Sequence, residues 1–310
     1  MSGLFQAYQI PKSAIFKSYI GYFVLSRGIT HRTSKIVHLT SDIVHLTSYI
    51  PLFYLRRHIG KEIMKQKPIH PALQPYLEGK VLLINKPLHW TSFDAVKKIR
   101  ILTRISKIGH AGTLDPLATG LLIICTGKFT KKINEYMGME KEYTGSFTLG
   151  AVTPTYDLES EPEDEKDTSH LTPEMIRNAT AEFTGLIMQV PPIHSAIKRD
   201  GKPVYIMARK GQDVVLEPRP ITIYAFEITH IEMPVVHFRV RCSTGTYIRS
   251  LANDFGKALG VGGYLSKLCR TRIGEFLLED ALSLDEFEQE VVNLKASYEE
   301  ADPSESTENI

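Results

Sequence analysis

Alternation of apolar and polar positions predicts a chain of clear elements from residue 79 onward. Val81–Asn85 is a short apolar run closed by Lys86-Pro87, which predicts a strand and then a turn. Thr91-Ser92-Phe93-Asp94 has the spacing of a capping box, and Phe93, Val96, Ile99 and Leu102 follow at helical intervals. Leu121–Cys125 reads as a buried strand ended by Thr126-Gly127. Tyr143, Gly145, Phe147 and Leu149 alternate with polar residues, as a half-buried strand does. Residues 158–170 are acidic, contain Pro162 and read as a loop. Thr172-Pro173-Glu174 starts a helix with Met175, Ile176, Ala179 and Phe183 on its inner stripe, stopped by Gly185. Ile221–Ile231 and Val235–Cys242 read as paired strands around Met233-Pro234. Tyr247–Leu259 predicts a helix that turns Ile248, Leu251, Ala252 and Phe255 inward, and Leu284–Leu294 a last one. Strands mixed with helices in this way predict an α+β domain on a mainly antiparallel mixed sheet.

The first 78 residues follow no such pattern. Ala14–Ser26 is apolar but broken by Lys17, too short and too polar to span a membrane. No small-residue cleavage site follows a clean apolar core, and the first acidic residue is Asp42, a start that also suits an organelle transit peptide. Ile36–Asp42 is nearly repeated in Ile43–Tyr49. One seven-residue copy makes no solenoid, and its His38 and His45 read as a chance duplication rather than as metal ligands. Residues 1–78 are therefore expected to be an accessory or spurious extension, poorly ordered, with Met64 as an alternative start. The catalytic domain is expected over 79–284, and 285–310 as a helix end and a solvated acidic tail.

Charge sharpens this division. Residues 1–78 carry ten basic and three acidic side chains, 79–157 eleven and six, 158–284 fifteen and seventeen, and 285–310 one and nine. The net +2 of the whole chain is thus a basic front cancelled by an acidic end, and says nothing against a polyanionic partner. Cys125, Cys242 and Cys269 lie far apart without a C-x-x-C, which predicts neither a disulfide framework nor a cysteine metal site and suits a reducing compartment.

Candidate chemistry concentrates in Gly109-His-Ala-Gly-Thr-Leu-Asp-Pro-Leu-Ala-Thr-Gly120, between a helix and an apolar strand. The segment has no phosphate-loop pattern, and the chain has neither G-x-S-x-G nor H-E-x-x-H. No second carboxylate accompanies Asp115 locally, as glycoside hydrolysis would need. What remains is single-carboxylate chemistry with Asp115 as nucleophile or general base, or an Asx-turn with no chemistry at all. In Ser243–Arg249 a strand ends, Gly245 turns and a helix begins. A cation in a first helical turn opposes the dipole, so Arg249 calls for a carboxylate or phosphate partner. Tyr143, in Lys141-Glu-Tyr143, is an ordinary strand aromatic or a platform for a base.

These segments, with Asn85-Lys-Pro87, Gln189–Lys198, Tyr205 with Ala208-Arg209, and Arg219-Pro-Ile221, resemble the TruB family of tRNA pseudouridine synthases over roughly residues 79–278. The G-H-x-G-x-L-D-P-x-A-x-G pattern is highly specific to that family. The resemblance implies the pseudouridine synthase fold. The reaction it implies is isomerisation of uridine 55 in the tRNA T loop, without metal or cofactor, on a base flipped from its stack. It casts Asp115 as the catalytic carboxylate, Arg249 as its partner, holding it ionised, and Tyr143 as the stacking aromatic. Tyr247 and Leu268 become pocket walls and Asp157 a nearby polar group. His110 would fill the space the base vacates, and Lys86 would sit near the site in contact with RNA. His194 and Ser195 are scaffold. Lys97, Lys98, Arg100, Arg104, Lys107, Lys128, Lys131 and Lys132 are candidates for phosphate contacts.

Two departures stand out. Many bacterial members carry a C-terminal PUA domain, for which the acidic stretch after Leu278 leaves no room, and residues 1–78 match nothing in the family pattern. The expected partner is the T-arm stem-loop of tRNA, with no guide RNA and no membrane, bound by a cytoplasmic monomer. A noncatalytic tRNA-folding factor, the same chemistry on another RNA and a small-molecule carboxylate enzyme are the alternatives.

Overall fold

The computed structural model describes residues 69–193 and 216–301, with the short stretches 198–199 and 202–203. The duplicated heptads, His38, His45, Met64, His194, Ser195, Tyr205, Ala208, Arg209 and residues 302–310 lie outside the described residues.

A 3-10 turn, Pro71–Leu73, leads into α1 (Gln74–Glu78) and β1 (Val81–Lys86). Then come α2 (Ser92–Thr103), β2 (Ile108–Ala111), β3 (Ala118–Thr126), a 3-10 stretch over Gly127–Lys132, α3 (Ile133–Gly138) and β4 (Lys141–Leu149). After an irregular stretch follow α4 (Pro173–Ala179), β5 (Gly185–Gln189), the small ladder of β6 (Lys198–Arg199) with β7 (Lys202–Pro203), β8 (Arg219–Glu232) and β9 (Val235–Cys242). The chain closes with α5 (Ile248–Ala258), β10 (Gly263–Ile273), β11 (Phe276–Leu277) and α6 (Leu284–Ala301). One nine-stranded sheet runs β1-β3-β10-β4-β9-β8-β5, with β2 beside β3 and β11 beside β10. Among the described strand pairs only β3–β10 is parallel, Leu268 facing Ala118 and Arg270 facing Gly120. The architecture is the expected α+β one, a mainly antiparallel mixed sheet flanked by helices.

Local chemistry explains most boundaries. The Thr91–Asp94 capping box forms in both directions and starts α2. Thr172 caps α4 with Pro173 at its first position. β3 is buried on both faces, Leu122 and Ile124 under α2 and α6, Leu121, Ile123 and Cys125 under α3, which is why it reads as an unbroken apolar run. Beneath α5, Phe147 stacks on Phe238 at 4.2 Å, Phe226 packs against both, and Phe255 packs against Phe147 and Phe226.

Four expectations change. Phe93 is 61% exposed and Met175 45% exposed, so the inner face of α2 is Ser92, Ala95, Val96, Ile99 and Thr103, and α4 is anchored by Ile176. A single odd apolar residue on a short helix moves the inferred stripe by one position. Residues 69–78 pack into the domain: Leu73 and Tyr76 are buried, and the Tyr76 hydroxyl donates to Glu290 at 2.8 Å. The last helix runs on to Ala301, with Tyr298 edge-on to His70 at 5.6 Å, so the start of the acidic end is held rather than free. Finally β10, next to the middle of the sheet, has no counterpart in the apolar pattern, because Lys267, Arg270 and Arg272 interrupt it and two register shifts break its alternation.

Among the described residues no helix is long and apolar enough to cross a membrane.

Candidate active site

The turn between β2 and β3 carries Asp115 and is fixed from several sides. Ser92, in the first turn of α2, donates through Oγ to the Leu114 carbonyl and accepts from the Leu114 N–H. His89 N–H donates to the Pro116 carbonyl at 2.8 Å, and Ala118 N–H to that of Asp115 at 3.0 Å. From β10, the buried Arg270 donates to the carbonyls of Leu121, Gly112 and Thr113 at 2.8, 3.2 and 3.5 Å. Gly120 (φ +100) lies so close to the Arg270 backbone that a Cβ there would collide with it.

Across from this turn, α5 presents Arg249. Its Nε is 2.9 Å from Asp115 Oδ2 and its Nη2 is 3.2 Å from Oδ1, a two-nitrogen grip on one carboxylate. The same Nε is 3.6 Å from Asp157 Oδ2, and Nη1 donates to the Thr155 carbonyl at 3.5 Å. Asp157 is itself buried and accepts from Glu159 N–H at 3.0 Å. The Arg249 side chain is 5% exposed and that of Asp115 37%, because the carboxylate opens onto a cavity. This cavity, of about 320 Å³, is walled by Gly112–Asp115, Met137, Tyr143, Thr244–Arg249 and Leu268.

Burial pushes the Asp115 carboxyl above the usual carboxylate range; Arg249 pulls it down, Asp157 adds to the rise and Lys86 opposes it. The ion pair therefore offsets part of the cost of desolvating the carboxylate. Burial likewise raises the Tyr143 phenol, while the hydrogen-bonded Arg270 lowers it.

Tyr143, Tyr247, Leu268, Asp115 and Arg249 thus meet at one cavity, and Asp157 approaches the same guanidinium nitrogen as Asp115. Lys86, Lys131 and His110 do not join that wall. Lys86 is fully buried and donates to the carbonyls of Pro87 and Trp90 at 2.9 and 2.6 Å. This corrects its reading as an RNA contact: the ammonium closes the turn after β1, and burial lowers its pKa to about 8. His110 lies on β2, paired with Ile124, its Nδ1 buried and without a hydrogen-bond partner among the described residues. Burial and the Arg270 charge depress its pKa, favouring the neutral imidazole. Lys131 is exposed in the 3-10 stretch after β3.

Three side chains at the site carry no role in the sequence reading: Ser92, Arg270 and Gln189. Gln189 opens the Gln189–Lys198 family motif, so a signal existed for it. Arg270 sits in the strand whose pattern the charges obscure, and Ser92 is indistinguishable in sequence from any first-turn serine.

Residues 100–248 match the model of the TruB family pseudouridylate synthase N-terminal domain, and residues 249–305 that of the tRNA pseudouridylate synthase B C-terminal domain. The chain is similar to proteins named tRNA pseudouridine synthase B. That of Flavobacterium johnsoniae is 53% identical over 70% of this chain and 97% of its own. That of Phocaeicola vulgatus is 49% identical over 68% and 93%. Among solved structures, a Cbf5-Nop10-Gar1 complex matches with a TM-score of 0.56 at 31% identity, covering 71% of this chain and 56% of that one. An H/ACA RNP bound to a substrate RNA containing 2'-deoxyuridine matches with a TM-score of 0.55 at 27% identity, covering 74% and 60%.

Proposed function

The chain belongs to the TruB family of pseudouridylate synthases, and on that premise we propose that it isomerises uridine 55 in the T loop of tRNA with Asp115 as its essential carboxylate. It is a tRNA pseudouridine synthase, an isomerase. The reaction breaks the bond from ribose C1′ to N1 of uracil and forms one from C1′ to C5; the C5 proton leaves and N1 gains one. Such a base is reached only after it leaves the stack. The cavity, at the small end of the range for small-molecule sites, suits one extruded nucleotide.

The observation that carries the reading is the two-nitrogen contact of Arg249 with a carboxylate that opens onto a cavity beside Tyr143. In this reading Asp115 acts on the ribose or the base as nucleophile or general base, and Arg249 keeps its oxygens oriented. Tyr143 stacks on the extruded ring, Tyr247 and Leu268 wall it, and Asp157 helps hold Arg249 from the side that also faces Asp115. His110, neutral and half-buried, fills space near the vacated stack, and Lys131 with the exposed basic residues of 97–132 meets phosphates. The enzyme works as a cytoplasmic monomer, without guide RNA or cofactor.

The test is incubation of the purified protein with a T-arm stem-loop and assay of pseudouridine. Asp115→Asn should bind the RNA and yield no product; normal turnover by that variant would sink the assignment.

A further inference from the structure

The helix that carries Arg249 starts without a cap of its own. Tyr247, at the N-cap of α5, has extended backbone (φ −103°, ψ 110°) and its side chain caps nothing. The missing order arrives from another strand. Gln189, the last residue of β5 and only 3% exposed, accepts from the Tyr247 N–H through Oε1 at 2.8 Å. Through Nε2 it donates to the Tyr247 carbonyl at 3.1 Å. Beside this pair, the buried Ser250 donates through Oγ to the Val190 carbonyl at 2.8 Å. Three hydrogen bonds thus tie the end of β5 to the first turn of α5, the turn that bears Arg249.

We infer that Gln189 is a positioning residue that sets the reach of Arg249 toward Asp115 by bracing the first turn of α5 against β5. First turns fray because their N–H groups have no intrahelical partners, and a frayed turn cannot hold two guanidinium nitrogens on one carboxylate. One amide that uses both its donor and its acceptor on the same residue fixes the peptides on either side of Tyr247 in place and in orientation. An apolar residue of similar size would fill the same space and leave Tyr247 free to shift.

The kinetic arm of the test rests on the proposed role of Asp115; the titration arm does not. Three charged groups face Asp115: Arg249 from α5, Asp157 from the stretch after β4 and Lys86 from the end of β1. Gln189→Leu and Ser250→Ala, made in the full chain, leave all three in place. The carboxyl of Asp115 is then titrated by carbon-13 NMR without RNA, its signal assigned through Asp115→Asn. A loosened Arg249 stabilises the carboxylate less, so the Asp115 midpoint should rise by about one pH unit in Gln189→Leu, and by less in Ser250→Ala. With tRNA, kcat should fall on the order of tenfold to a hundredfold with KM unchanged, as for a slight misplacement of reacting groups. A residue that only stabilises the fold would lower the melting temperature and leave the midpoint where it was. An unmoved midpoint in folded Gln189→Leu overturns the inference. If that variant does not fold, an unmoved midpoint in Ser250→Ala does so. If the wild type makes no pseudouridine, the proposed function fails and the titration still decides the brace.

Discussion

Ser92 and Leu114 are joined by a reciprocal pair of hydrogen bonds, Oγ to carbonyl at 3.2 Å and N–H to Oγ at 2.8 Å. One hydroxyl thereby ties the capped start of α2 to the residue before Asp115. Both partners are buried, so Ser92→Ala leaves a donor and an acceptor without partners in the interior. The expected cost is about 1–3 kcal/mol, read as a lower urea midpoint with unchanged slope. Because the freed peptide adjoins Asp115, kcat should drop more than KM rises. Wild-type kinetics in a destabilised Ser92→Ala would show that the loop is held elsewhere.

Asp115→Asn should separate stability from function. The folded-state pKa of Asp115 is raised by burial, so its ionisation opposes folding above the unfolded value. That opposition is relieved as pH falls through the raised folded value. The amide removes this charge, while Arg249 keeps Asp157 at 3.6 Å. Unfolding experiments at pH 7 should find the variant no less stable than the wild type, with a flatter pH dependence on the acid side. A large loss of stability at pH 7 would mean that the ion pair outweighs the desolvation of Asp115.

Much of this site is legible in the sequence. Asp115, Arg249 and Tyr143 stand in short motifs whose composition is unusual for connectors, and elements with a clean period, β4, β9 and α5, emerged close to their limits. What stayed hidden depends on distant contacts. Lys86 reads as an RNA contact because nothing local reveals that Pro87 and Trp90 turn their carbonyls inward around its ammonium. Arg270 looks like surface charge, yet it is buried among backbone carbonyls more than a hundred residues away in sequence. Burial of a cation against carbonyl dipoles leaves no trace in periodicity. The same holds for Gln189, whose partner is a backbone and not a side chain.

Lys86→Met tests the interior placement of that ammonium. Its pKa is lowered from 10.5 to about 8 by burial, and Lys141 shows the same shift. For a lysine with a depressed folded pKa, the cost of the buried charge is fully present below about pH 8. It fades as pH rises toward 10.5, where the unfolded chain loses its proton as well. Stability from these two groups therefore rises with pH between the two values. Lys86→Met should remove part of that rise, seen in urea unfolding from pH 7 to pH 10, and Lys141 should account for the remainder. An unchanged rise in the variant would place the Lys86 ammonium in water.

Phosphate contacts leave a different signature, and the structure separates two lysines that the sequence treats alike. Lys131 is exposed beyond β3, whereas Lys98 on α2 is bonded to Glu288 of α6. An exposed lysine that meets a phosphate releases a counterion on binding, so its loss lowers the slope of log affinity against log salt by nearly one. Lys131→Gln should show that decrease while the rate at saturating tRNA stays unchanged. Lys98→Gln should change the slope less, because its charge is already shared with a carboxylate; the pair itself is worth at most about 1 kcal/mol. Glu288→Gln frees Lys98 and should tighten tRNA binding at low salt. Filter binding of tRNA across a salt series measures all three variants. A slope that Lys131→Gln leaves untouched would remove Lys131 from the RNA contact surface, and unchanged affinity in Glu288→Gln would remove Lys98 with it.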